Sequence, residues 1–254
     1  MNYFTSCIHG QFDKYQQIKE CLHPGDHLWI VGDILDGDIE NPEGSTSVMA
    51  DIMENNEQIT LILGDHEYAR CMQYSASGDE TSAKIWEDFA SGLDISGTPL
   101  NEYMAENFTQ DDYYEYIGSF LLNCELTAVV PIGGRYFYLC HGAPEHYSEE
   151  ISLEWQLRVC THMPEFDKSF FSSVKTDEFS EKYLNAKIPM TDKNTIVISG
   201  QLSAATAAMQ LSIPDTGKGF AYSDHILAIG RDSIEEPINV IGIDAAGFFL
   251  QGRY

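Results

Sequence analysis

The sequence predicts an α/β protein. Two observations lead there. Apolar strand-like runs alternate with stretches of helical spacing, and the runs end on short polar turns of Gly, Asp or His. In such an architecture the polar edge, at the carboxyl ends of the strands, is where a site is built.

The opening stretch "MNYFTSCIHGQFDKY" reads as a strand ending in a turn, Ser6 to Asp13, that carries His9. Asp13–Leu22 has apolar residues at helical spacing, with an acid in its first turn where the helix dipole favours it. Pro24-Gly25-Asp26 is a turn, and "HLWIVGD" is a second strand that ends at Gly32-Asp33. Asn41–Ser47 reads as loop and "VMADIMENN" as helix. "QITLILGDHE" is a third strand closing on Gly-Asp. Residues 68–118, rich in Tyr, Glu, Asp and Ser, read as a helical cap insertion, with helices around Trp86 and Tyr103. From Phe120 strands return: "LTAVVPIGGRYFYLCHGAP" is a hairpin turning at Gly133-Gly134, and its second strand ends on His141. Residues 145–190 form a second helical and loop insertion. "NTIVISGQLSA" is a strand ending in a Gly-polar turn, and "PINVIGIDAAGFFLQGRY" is a closing strand pair. The expectation is one domain over 1–254 with two insertions.

Composition narrows the function. The chain has 254 residues, 14 Lys+Arg against 40 Asp+Glu, and a formal charge of −26. That charge disfavours binding to nucleic acid phosphates or anionic membranes, and an acidic solvated surface is its plainest reading. The carboxylate runs "DDYYEY", "EHYSEE" and "IENPEG" leave open a minor reading as a nucleic-acid mimic docking on a basic protein. The six cysteines are scattered without a CxxC pair, and Met1 leads straight into a strand with no basic apolar leader. A reducing cytoplasm is therefore expected. No GxxxxGK[ST] loop is present, which removes P-loop nucleotide binding. Cys140 neighbours His141 but points to the opposite face of its strand, hence into the core.

Five strand ends carry polar residues: Cys7/His9, Asp33/Asp36, Asp65/His66/Glu67, His141 and Gln201/Ser203. A single histidine is more often a hydrogen-bonded structural residue than a ligand. Recurrence of Asp and His at equivalent strand ends of one sheet points instead to a borderline divalent ion.

Ser6-Cys7-Ile8-His9-Gly10-Gln11-Phe12, Gly32-Asp33-Ile34-Leu35-Asp36, Gly64-Asp65-His66-Glu67 and Cys140-His141-Gly142 resemble, in order, the motifs of the calcineurin-like metallophosphoesterases. They look most like the serine/threonine phosphoprotein phosphatase branch. "FLLNCELTAVV", "ISG" and "IGIDAAG" are similar to further segments of that family. The resemblance implies a four-layer α/β/β/α sandwich holding two metals, Mn, Fe or Zn, with a bridging water that attacks phosphorus. It implies one metal held by Cys7, His9 and Asp33, and another by Asp33, Asp65, His141 and Gln201. His66 would be the general acid, oriented by Asp36.

The departures from that pattern matter as much. Cys7 stands where the family has aspartate, and reads either as a thiolate ligand or as a buried small hydrophobe. Asp65 replaces an asparagine, and Gln201 and Ser203 stand where histidines are expected. Gly37-Asp38 stands where an arginine would bind phosphate. Arg70, one turn beyond His66, could supply a cation for the substrate, or be a solvated residue paired with an acid. Arg135, at the far end of its strand, could not. Two functional expectations follow: phosphomonoester hydrolysis, impaired or lost through the substitutions and with two, one or no metals bound, or an inactive phosphatase-like acidic module that binds a protein partner.

Overall fold

The computed structural model describes residues 1–37, 41–75, 99–109, 120–121, 123–142, 195–210, 219–222 and 226–254. Trp86, the 145–190 insertion and the runs "DDYYEY" and "EHYSEE" lie outside them.

Strands β1 (Asn2–Thr5), β2 (His27–Val31) and β3 (Ile59–Ile62) run parallel, linked by helices α1 (Phe12–Glu20) and α2 (Glu43–Glu54). Strands β9 (Asn239–Asp244) and β10 (Gly247–Arg253) complete a five-stranded sheet ordered β10-β9-β1-β2-β3. A second five-stranded sheet is ordered β4-β5-β6-β8-β7. It comprises β4 (Thr127–Ile132), β5 (Arg135–Cys140), β6 (Thr195–Ser203), β7 (Ala221–Tyr222) and β8 (Ile226–Gly230). Its central strands β5, β6 and β8 are again parallel.

Strand alternation explains the layering. Tyr3, Leu28, Ile30, Ile59 and Leu61 point to one face, where they meet Tyr15 and Ile18 of α1 and Val48, Met49 and Ile52 of α2. The same cluster takes in Cys71 of α3 (Asp65–Ser75) and Leu100 and Met104 of α4 (Pro99–Asn107). Phe4, Val31 and Ile62 point the other way, onto Phe137, Leu139, Ile196, Ile198, Leu227 and Ile229 of the second sheet. Helix α5 (Ala204–Gln210) follows β6 directly. Two sheets, rather than one, therefore meet over the site. The expected α/β sandwich is the observed one, and no helix of the described residues is long and apolar enough to cross a membrane.

Four local readings need correction. Helix α2 begins at Glu43, inside the stretch read as loop. Gly44 and Ser45 are weak helix formers, but tertiary contacts fix them: a Cβ on Gly44 would sit 1.9 Å from Gly10 O, and Ser45 Oγ accepts the Asp36 N–H at 3.1 Å. Helix α3 starts at Asp65, so residues 68–75 continue a helix that opens in the site rather than a separate cap. Strand β6 continues past Gly200 through a register shift to Ser203, placing Gln201 within the strand. Strand β8, five buried residues long, was not anticipated from the sequence; a short unbroken apolar run gives no period to read.

Candidate metal centre

The loops after β1 and β2 are zipped together by main-chain bonds: Cys7 N–H to Gly32 O (3.1 Å), His9 N–H to Asp33 O (2.9 Å) and Gly10 N–H to Ile34 O (2.8 Å). Within them Cys7, His9, Asp33 and Asp36 all take left-handed backbone, with φ of 54°, 49°, 58° and 58°. Each such non-glycine residue costs on the order of 1 kcal/mol. Four together in one site are strain maintained by the surrounding structure.

That support comes first from Glu67. Its fully buried carboxylate accepts the N–H groups of Asp33 (2.8 Å), Ile34 (2.9 Å), Leu35 (3.0 Å) and Gly64 (2.9 Å). The Val31 carbonyl is a second anchor, accepting from Ser6 Oγ (2.6 Å) and His141 Nδ1 (2.7 Å). Gly200 must be glycine here: a Cβ would lie 1.9 Å from Val31 O and 2.5 Å from Ser6 Oγ.

Because His141 Nδ1–H is committed to Val31, its Nε2 is the free ring atom, and it faces three oxygens. These are Gln201 Oε1 at 2.5 Å, Asp33 Oδ2 at 3.1 Å and Asp65 Oδ1 at 3.2 Å. Asp33 Oδ1 and Asp65 Oδ2 are buried without a hydrogen-bond partner. Burial and the neighbouring Asp33 carboxylate raise the pKa of Asp65. Burial works against protonation of His141, but Asp33 and Asp65 outweigh it and raise that ring well above 6.5. A proton at Nε2 answers the same field that a divalent cation would. Donor atoms about 3 Å apart are spaced as ligands ~2.1 Å from a shared ion are.

A second cluster joins Cys7, His9 and Asp33, with ligand atoms within 4.8 Å of one another. His9 Nδ1 donates to Leu35 O at 3.2 Å, which leaves Nε2 to face Asp33 Oδ2 at 3.8 Å. Burial lowers His9 to about 4, so its ring is a neutral donor. Cys7 Sγ lies 3.3 Å from Gly200 O and 3.5 Å from Ser6 Oγ; burial and then Asp33 push its thiol up to about 11. Asp33 also belongs with Asp65 and His66 in a further cluster, so it is common to both halves.

His66 stands beside these groups, its ring edge-on to His9 at 5.1 Å and its Nδ1 3.3 Å from Asp36 Oδ2. Burial alone would lower it, but Asp33, Asp36 and Asp65 raise it to about 10. Arg70, 1% exposed, holds the other oxygen of Asp36 at 2.5 Å and also bonds Asn101. Its guanidinium thus braces the Asp36–His66 pair from inside the protein, which is not the solvated position considered from sequence. Ser203 Oγ accepts the Thr206 N–H at 3.0 Å and caps α5. The structure brings Cys7, His9, Asp33, Asp36, Asp65, His66, His141 and Gln201 together.

Sequence reasoning missed Arg231, since nothing marks an arginine after a short apolar run. Buried at the end of β8, it donates from Nη1 to Ile234 O (2.8 Å) and Glu236 O (2.7 Å), and from Nη2 to Ile8 O (3.4 Å). Gln11 Nε2 reaches Ile234 O at 3.1 Å, tying the same two loops. Arg231→Ala is expected to cost about 2 kcal/mol and to weaken ion binding more at the Cys7/His9 half than at the His141 half. Urea unfolding and metal titration of the variant check this; equal loss at both halves would contradict it.

The family model for calcineurin-like phosphoesterases matches residues 3–200. A comparison with curated proteins finds no match. Among solved structures, the chain is similar over 98% of its length to 91% of a candidate diadenosine tetraphosphatase, at 11% identity and a TM-score of 0.53. It is also similar over 98% of its length to 78% of a Saccharomyces cerevisiae serine/threonine phosphatase resembling human PP5 (13% identity, TM-score 0.48). A third likeness, over its whole length, is to 89% of hypothetical protein PH1004 from Pyrococcus horikoshii OT3 (13% identity, TM-score 0.46). Identities this low speak to fold alone. With the family match spanning most of the sequence and its motifs meeting between the two sheets, the chain belongs to the calcineurin-like phosphoesterases.

Proposed function

We propose that this protein is a slow phosphoester hydrolase using two divalent ions, one on Cys7, His9 and Asp33 and the other on Asp33, Asp65, His141 and Gln201. The observation that carries this reading is the convergence of His141 Nε2 with three oxygens, beside Asp33 Oδ1 and Asp65 Oδ2, which are buried without a hydrogen-bond partner. A cation satisfies those atoms at once. The ions would neutralise phosphoryl charge and lower the pKa of an attacking water.

The remaining work falls to the chain's own groups. His66 holds a proton for the leaving oxygen, Asp36 orients its ring through Nδ1, and Arg70 holds Asp36 in place, helping His66 keep it ionised. Gly37 follows Asp36 where a phosphate-binding arginine is expected, so substrate charge finds no side-chain cation there and turnover is low. The substrate is a phosphomonoester of a metabolite or protein in the cytoplasm. Neither nucleic acid nor a membrane suits a partner charged to −26.

A second reading, an inactive acidic module that binds a protein, is favoured by one observation. The Cys7 thiol is pushed up to about 11 by burial, so it is protonated until an ion displaces the proton. Metal content by mass spectrometry, with p-nitrophenyl phosphate hydrolysis before and after manganese or zinc loading, separates the two. Two ions per chain are expected, with hydrolysis falling about 10²-fold or more in His66→Ala. One ion without turnover, or none, overturns the hydrolase reading and leaves the binding module.

A further inference from the structure

The two halves of the centre are chemically unlike. One offers a sulfur, an imidazole nitrogen and a carboxylate; the other offers two carboxylates, an amide oxygen and an imidazole nitrogen. We infer that they select different ions: the Cys7 half takes a thiophilic divalent ion such as zinc, and the His141 half takes a harder one such as manganese. This rests on the two-ion reading above and deepens it.

Were Cys7 packing as a small hydrophobe, its sulfur would sit among apolar atoms. It lies instead by Gly200 O, Ser6 Oγ and the Asp33 carboxylate, 3% exposed, with the His9 and Asp33 donor atoms within 4.8 Å. His9 is fixed as an Nε2 ligand by its Nδ1–H bond to Leu35 O. Asp33, whose Oδ2 faces His9, also carries Oδ1 buried without a hydrogen-bond partner, an unanswered acceptor on the carboxylate the two halves share. Sulfur widens the preference for zinc over manganese, whereas carboxylate and carbonyl oxygens narrow it. On binding, the Cys7 S–H bond breaks, the proton passes to solvent, and the sulfur electron pair forms the bond to zinc.

The test starts from chelator-treated full-length protein. With one equivalent of zinc and manganese in excess, desalted protein is expected to retain one zinc and one manganese per chain. Cys7→Asp, which makes both halves carboxylate-rich, is expected to lose zinc to manganese under the same competition. Cobalt(II) gives a direct readout: its first equivalent is expected to produce a near-ultraviolet sulfur-to-cobalt charge-transfer band that is lost in Cys7→Ser. Zinc-edge X-ray absorption on the unaltered protein, expected to show one sulfur scatterer at ~2.3 Å, needs no variant to fold. Two bound ions with hydrolysis intact, but no sulfur scatterer and no Cys7-dependent band, would overturn this selectivity and leave the hydrolase reading standing. Failure to bind any ion overturns both.

Discussion

Replacing Glu67 with alanine is expected to lower the unfolding free energy by roughly 4 kcal/mol, a large share of the ~5–15 kcal/mol a domain possesses. One carboxylate oxygen accepts from Ile34 and Leu35, the other from Asp33 and Gly64, all within 3.0 Å. Burial and then Asp33 raise its pKa to about 7, while His66 and then the Leu35 and Gly64 N–H groups pull it back down. Alanine strands four buried N–H groups. A bond to a charged acceptor is worth ~1.5–3 kcal/mol, and the total stays below the sum because the loop relaxes and admits water. Glu67→Gln keeps one oxygen for one pair of donors but turns an NH₂ against the other, so about 2 kcal/mol is expected. The urea midpoint should fall in that order at unchanged m-value. Ion uptake should fall at both halves, since Asp33 is shared. An alanine variant that unfolds at the parent's midpoint would show that the loop holds its shape without the carboxylate.

Glu67 also marks how far the sequence could be read. Its place in a strand-end motif was plain; its work was not, because four backbone donors from 33–35 and 64 cannot be counted without coordinates. The frame was legible because it is written locally. Alternation in "YF" of β1 and "LWIV" of β2 puts successive residues on opposite faces, and glycine-acid pairs end β2 and β3. What failed to show was set by distant neighbours. Gly44 and Ser45 are held helical by Gly10 and Asp36. Arg70 resembles any exposed helix arginine until Asp36 and Asn101 close over it. Gln201 reads as a turn residue after Gly200, yet a register shift inside β6 aims its amide at His141. The left-handed backbone at Cys7, His9, Asp33 and Asp36 had no glycine to announce it. It is carried by Glu67, by the Val31 carbonyl and by Arg231, whose own sequence neighbours give no hint of the role.

Asp65→Asn is expected to move stability and ion affinity in opposite directions. Asp65 Oδ2 is buried without a hydrogen bond and Oδ1 meets only the His141 ring among the described residues, and burial followed by Asp33 raises the Asp65 pKa above the ordinary 3.8. An acid raised on folding lowers stability once the pH passes its unfolded value, and the loss is complete above its folded one. In chelator at pH 7 the asparagine variant should therefore melt above the parent, by on the order of 1 kcal/mol or ~2–4 °C. The difference should close as pH falls below 3.8, where Asp65 takes up its proton in both states. With manganese the order reverses. Removing one ligand charge beside His141 is expected to weaken binding about tenfold, or ~1.4 kcal/mol, and ion-linked stabilisation shrinks with it. Melting curves with and without manganese should cross between the two proteins. A variant that melts lower in chelator would mean that pairing with His141 outweighs burial, and that Asp65 serves the fold. The crossing would mean that the chain keeps an unfavourable carboxylate because an ion sits against it.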